Sequence, residues 1–240
     1  MNSLINSTTT RDSSVEIVVT TFRGTAMVAG IIYLLTFVSI PTLSLYKSVH
    51  DPEYIIQTGS DTWVIVGALL EIVVGLACIA SAVVLYPVLK RQSEAAALGL
   101  VAARVLEATL IFTGVACLLT IVTLKQSGVG SESLSTGYAL VTMYDRIFSI
   151  SQNLIPAIND LILGVLFFQS RLVPRILSGV AIVGSFTLIG ADIGIISGVL
   201  ELRSPLTGLA SIGVALFEFA LGVWLVVKGF NWRQEVEKSI

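Results

Sequence analysis

The 240-residue chain is 55% hydrophobic and 12% charged, with a mean hydropathy of +0.91, against roughly a quarter charged in ordinary soluble domains. Such a composition excludes a water-soluble globule and fits a polytopic membrane protein. The net charge of −2 comes without a basic patch interleaved with aromatics, so nucleic acid is not an expected partner.

Residues 1–21 read as a polar N-terminal segment, with Arg11, Asp12 and Glu16 among Asn, Ser and Thr. No apolar stretch precedes a small-residue cleavage site, so no cleaved signal peptide is expected. Six apolar runs follow, at about 22–46, 62–89, 96–124, 146–170, 175–200 and 205–229, each long enough for a tilted transmembrane helix. They make a transmembrane domain over 22–230, ahead of a cytoplasmic tail over 231–240 that places Trp232 at the interface. The expected fold is all-α, a bundle of six transmembrane helices.

Orientation follows from the basic residues of the short flanks. Arg11, Arg23, Lys90, Arg91, Arg171, Arg175, Lys228, Arg233 and Lys238 share one side, and Lys47, Lys125, Arg146 and Arg203 the other. The richer side is assigned to the cytoplasm, which puts both termini there. On the poorer side, the loop Lys47 to Asp61 holds His50, expected to be simply solvated. The stretch from Gln126 to about Thr142 is rich in Gly and Ser and reads as a flexible, exposed loop. The connections around Arg91 and around Arg171 to Arg175 are tight, so the helices they join are antiparallel neighbours. Small residues suggest packing stripes: Gly67 and Gly75 on the second helix, Ala95, Gly99 and Ala103 on the third, and Gly190, Gly194 and Gly198 on the fifth. Cys78 and Cys117 lie in apolar runs without metal-type spacing and read as inert thiols.

Charges inside the spans need an explanation. Glu71, Glu107, Asp160, Asp192 and Glu218 lie well within them, and Arg104 is the one basic residue that does. An ionised side chain in the centre of an isolated span costs on the order of 3 kcal/mol or more. These groups are therefore expected to turn inward and meet in a shared interior that is hydrated, paired or partly protonated. At 1.5 Å per residue Glu107, Asp160 and Glu218 come out near the midplane, Arg104 about a turn nearer the cytoplasm, and Glu71 and Asp192 nearer the outside. Arg104 and Glu107 are three residues apart, on one helix face, and can pair. On the fourth helix Ser149, Gln152, Asn153, Asn159 and Asp160 fall mostly on one side, with Pro156 between them. Proline frees a backbone carbonyl, so this face is expected to line a polar cavity.

Two readings compete for the constellation. In the structural one, Arg104 bridges acids of neighbouring helices and the cluster fixes their register. In the functional one, Glu107, Asp160 and Glu218 hold or exchange a proton or cation, while Asn153 and Asn159 coordinate a small-molecule or ion ligand and Glu71 and Asp192 complete the set. The first fits a non-enzymatic interaction or stress-response component with a membrane-protein partner or a second copy of itself; the second fits a small transporter or ligand-binding protein. No enzyme, cofactor or metal site is expected. No span holds a histidine, which argues against Ser-His chemistry and the usual zinc sites, and no phosphate-binding glycine loop is present. Splitting the chain after the third helix aligns residues 105–110 loosely with 216–221, each with a central Glu, a pattern that an inverted repeat or chance would both give.

Several short stretches belong together. They are Arg23 with Gly30-Ile31-Ile32-Tyr33-Leu34-Leu35, Leu85-Tyr86-Pro87-Val88-Leu89, Ala103-Arg104-Val105-Leu106-Glu107-Ala108, Leu172-Val173-Pro174-Arg175-Ile176-Leu177-Ser178-Gly179, and Glu218 with Trp224-Leu225-Val226-Val227-Lys228-Gly229. In these the chain resembles the bacterial integral membrane family labelled domain of unknown function 4386, from about Arg23 to Gly229. The resemblance implies a six-helix membrane protein of the bacterial cytoplasmic membrane and carries no reaction, ligand or functional residue with it.

Overall fold

A computed structural model describes residues 22–128 and 130–231. The expectations for the N-terminal segment and for Trp232 and the tail beyond it lie outside the described residues. Among the described residues, six helices are long and apolar enough to cross a membrane: α1 (Phe22–Ser39), α2 (Thr62–Leu89), α3 (Glu94–Gln126), α4 (Ser131–Ser170), α5 (Arg175–Ile196) and α6 (Pro205–Val227). Among the described residues there is no strand. The face that carries Arg23, Lys90, Arg171 and Lys228 is called inner below, following the count of basic residues, and the opposite face outer.

Local chemistry sets the helix ends. Ser93 caps α3 by accepting from Ala96 N–H, and Ser204 caps α6 by accepting from Thr207 N–H, with Pro205 in the first turn. Gly198 (φ +77°) follows the end of α5, a left-handed position where glycine avoids a side-chain clash. The last carbonyls of α6 accept from Arg23, whose Nη1 donates to Lys228 O at 2.7 Å and Nη2 to Val227 O at 3.0 Å. Cations at a helix C-terminus also offset its dipole.

Two boundaries differ from the sequence reading. The first span is shorter than 22–46: α1 stops at Ser39, and a single turn, Thr42–Leu45, follows Pro41, which has no N–H with which to continue the ladder. The fourth is longer than 146–170. The stretch expected to be an open loop to Thr142 is helical from Ser131 onward. Its Gly, Ser and Thr content masks an apolar face, Gly137, Leu140, Val141 and Tyr144, that docks on the first outer loop. There the loop's Tyr46, Val49, Tyr54 and Ile55 form a cluster with Leu118, Ile121 and Tyr144.

Helices α2 and α3 pack along each other, as do α4 with α5 and α5 with α6, while α3 also lies against α4. Gly184 of α5 and Gly213 of α6 meet where a Cβ on either would sit 2.6–2.7 Å from the other's backbone. Gly30 and Gly222 bring α1 and α6 together in the same way. Of the expected stripes, Gly67 and Gly75 do receive aromatic rings, Tyr46 and Phe112. Gly99 and Gly190 face open space, and Gly194 packs on Leu200 of its own hairpin. The inner half of the bundle is a dry core that includes Leu85, Leu89, Leu100, Leu163, Phe167, Phe217, Leu221 and Leu225.

Candidate functional site

Above that core lies a cluster built around the Arg104 guanidinium, which is 2% exposed. Nη1 donates to both oxygens of Glu107 (3.2 Å each), and Nη2 donates to Glu218 Oε1 (3.0 Å) and to the Tyr33 hydroxyl (3.2 Å). Asn159 Nδ2 donates to Glu107 Oε2 at 2.7 Å, and the Cys78 thiol donates to Glu107 Oε1 at 3.3 Å. Asp160 Oδ1 stands 4.0 Å from Nη2, beyond hydrogen-bonding range, and neither of its oxygens has a partner although the residue is 0% exposed. Asn159 Oδ1 and Arg104 Nε are likewise buried and unpartnered. One guanidinium thus faces three carboxyls. Five helices supply the cluster: α3 (Arg104, Glu107), α4 (Asn159, Asp160) and α6 (Glu218) give the charged groups and the amide, α2 the Cys78 thiol and α1 the Tyr33 hydroxyl.

The structure brings together five of the expected residues, Arg104, Glu107, Asn159, Asp160 and Glu218. Three others stand apart, nearer the outer face. Glu71 accepts from the Tyr144 hydroxyl (2.9 Å), and Asp192 accepts from Ser149 Oγ (2.5 Å) with its Oδ2 left buried and unpartnered. Asn153 lines an outer cavity instead of touching the cluster. The two acids that the loose repeat aligns, Glu107 and Glu218, hold the same guanidinium from opposite sides.

Sequence reasoning missed Tyr33, Tyr144 and Cys78 as partners of the charges. The available signal was a polar atom on each that needs satisfaction inside an apolar span. His50 is also more than a solvated loop residue. Its Nδ1 donates to the Tyr46 carbonyl (2.9 Å), and its Nε2 faces both Asp145 Oδ1 (3.0 Å) and Arg203 Nη2; Arg203 also donates to Asp145 at 3.0 Å. The trio ties the first outer loop, α4 and the α5–α6 loop together.

Two cavities lie on the outer side of the bundle, and one of them reaches the cluster. The outer one, about 500 Å³, is lined by Tyr46, Lys47, His50, Asn153, Arg203 and Thr207 among others. The inner one, about 170 Å³, is lined by Thr36, Ser39, Cys78, Arg104, Glu107 and Glu218 with apolar neighbours. Gln152 and Ser211 line both. Gln152 owes its place to a break in α4: residues Ile150–Leu154 form a π-helical turn directly before Pro156. A π turn re-aims side chains, and the proline withholds an N–H from a carbonyl one turn back, so this is the point where α4 exposes polar backbone. Among the described residues no three His, Cys, Asp or Glu side chains are placed to hold a metal ion.

No curated protein and no solved structure matches the chain. A family model described as domain of unknown function (DUF4386) matches residues 28–229, which include every residue of the cluster. The chain therefore belongs to the DUF4386 family and is a multi-pass membrane protein of six helices.

Proposed function

We propose that the protein is a small transporter or ligand-binding protein of the bacterial cytoplasmic membrane, with both termini inside. Its buried acids would handle a proton or cation that arrives from the outer side. The observation that carries this reading is that Gln152 and Ser211 line both the outer cavity and the smaller one that touches Arg104, Glu107 and Glu218. An ion pair that only fixes helix register does not need an approach from solvent. Here polar groups line the outer side of the cluster while the inner side is closed by apolar side chains. Three carboxyls against one guanidinium also leave charge to be balanced by something that comes and goes.

The test is charge displacement in proteoliposomes on a solid-supported membrane, with pH steps applied at the outer face. Wild-type protein is expected to give a transient whose pH midpoint moves in Glu107→Gln and whose amplitude falls in Glu218→Gln. Identical transients in all three proteins overturn the reading.

A second reading rests on the saturation of Arg104, both of whose Nη groups are engaged by Glu107, Glu218 and Tyr33. In it the cluster is structural, in a non-enzymatic interaction or stress-response component. Under that reading Glu107→Gln lowers the unfolding midpoint and leaves charge movement as it is.

A further inference from the structure

The inner chamber is rich in acceptors and short of donors. Thr36 Oγ1 donates to the Tyr33 carbonyl (2.7 Å), Ser39 Oγ to the Thr36 carbonyl (3.0 Å), and Ser211 Oγ to the Gly208 carbonyl (2.8 Å). Each hydroxyl has one proton and has given it to its own backbone, so lone pairs are what remain for a guest. The Cys78 thiol donates to Glu107, both Nη groups of Arg104 are engaged within the cluster, and Arg104 Nε is fully buried. Gln152 carries the remaining N–H groups of the lining.

Acceptors are left over. Glu218 meets Arg104 through Oε1, and with a side chain 14% exposed it is the most open acid of the cluster. Asp160 keeps two buried oxygens without partners elsewhere in the cluster, outside the chamber lining, and adds negative charge there. At the outer mouth Arg203 is offset by Asp145, and Lys47 is the other cation of that lining. An anion would find carboxylates and lone pairs facing it, whereas a guest with N–H groups and positive charge would meet complementary atoms.

Size and wall chemistry narrow the class. About 170 Å³ is several times the roughly 30 Å³ of a water molecule, more room than a bare alkali ion fills. Phe37, Val74, Leu188 and Val214 supply apolar wall beside the acids. We infer that the chamber binds a small organic ammonium ion, a protonated primary amine. Its N–H groups donate to Glu218 and to hydroxyl lone pairs, and its short alkyl chain lies on the apolar wall. This inference rests on the reading of the cluster as a ligand site and deepens it.

The experiment is thermal unfolding of the full chain in lipid nanodiscs at constant ionic strength, titrated with propylammonium, tetramethylammonium, sodium or propionate. Propylammonium is expected to raise the midpoint of wild-type protein. Its half-saturating concentration should rise about tenfold or more in Glu218→Gln, as loss of a charged hydrogen bond implies. Ser211→Ala, which removes an acceptor and no charge, should weaken binding by a smaller factor and serves if Glu218→Gln does not fold. Tetramethylammonium has the same charge and no N–H, and should act weakly. Equal action by tetramethylammonium, or stabilisation by sodium or propionate in place of propylammonium, overturns the ammonium assignment while a ligand site remains. No response to any of the four, with the pH-driven charge movement intact, overturns the assignment and leaves the proton-linked reading standing. Loss of both overturns both.

Discussion

Asp61, at the outer end of α2, accepts from Lys125 Nζ (2.7 Å), the Tyr54 hydroxyl (2.7 Å) and Gln126 Nε2 (3.2 Å). Burial works to raise its pKa, but the three donors outweigh it and hold the carboxyl below its usual range. Since the folded value lies under an unfolded value of about 4, the ionised form contributes its full stability above that pH. The contribution is lost as the pH falls through the lowered folded value. Asp61→Asn should therefore cost about 1–3 kcal/mol at neutral pH. The gap to wild type should close below about pH 4, as unfolding curves in nanodiscs from pH 3 to 7 will show. A gap that does not change with pH would contradict the assignment. The same logic of supply and demand explains which acids left the central cluster. Glu71 and Asp192 found hydroxyl donors on α4, Tyr144 and Ser149, before they came within range of Arg104. The sequence contains those hydroxyls but does not say which helix faces which, so the cost of burying charge was legible at Glu107, Asp160 and Glu218 and the partners were not.

Between helices, spacing alone is a poor guide to packing in a membrane. Gly190, Gly194 and Gly198 share a helical period as well as any dimerisation stripe does, yet Gly190 faces open space and Gly198 serves the helix end. The contact that matters is Gly184 on Gly213, on a different face of α5. In water, an apolar stripe marks the buried side of a helix; in a span that is apolar all round, that contrast is gone. Gly213→Ala should destabilise the protein by about 1–3 kcal/mol, because the added methyl meets backbone that cannot turn aside. Gly190→Ala, in open space, should be neutral or stabilising by up to about 1 kcal/mol. Unfolding midpoints of the two variants in one lipid composition decide the matter, and equal effects would contradict the α5–α6 contact. The outer half of α4 was hidden for a related reason: Ser131 to Thr142 has the composition of a loop, and its helical order comes from docking Gly137 and Tyr144 on the first outer loop.

Across the whole molecule, the two halves of the bundle are built differently. The inner half is closed by large apolar side chains, and the outer half contains the early end of α1, the π turn of α4 and the His50–Asp145–Arg203 tie around two neighbouring cavities. The number of helices was legible from run length, since the thickness of the bilayer imposes it. The cavity was legible only as a polar face on α4. Its walls come from hydroxyls on α1 and α6, Thr36, Ser39 and Ser211, that read as ordinary small residues in sequence. The claim on which the function rests is that the charge cluster is open to the outer side and shut to the inner. Sided modification of Ser211→Cys, with Cys78 and Cys117 replaced by serine and alanine, tests it most directly. Oriented membranes are treated with a membrane-impermeant thiol reagent at one face at a time. Labelling from the outer face and protection from the inner face is the expected result; labelling from the inner face alone, or from neither while Lys47→Cys reacts from outside, would contradict it.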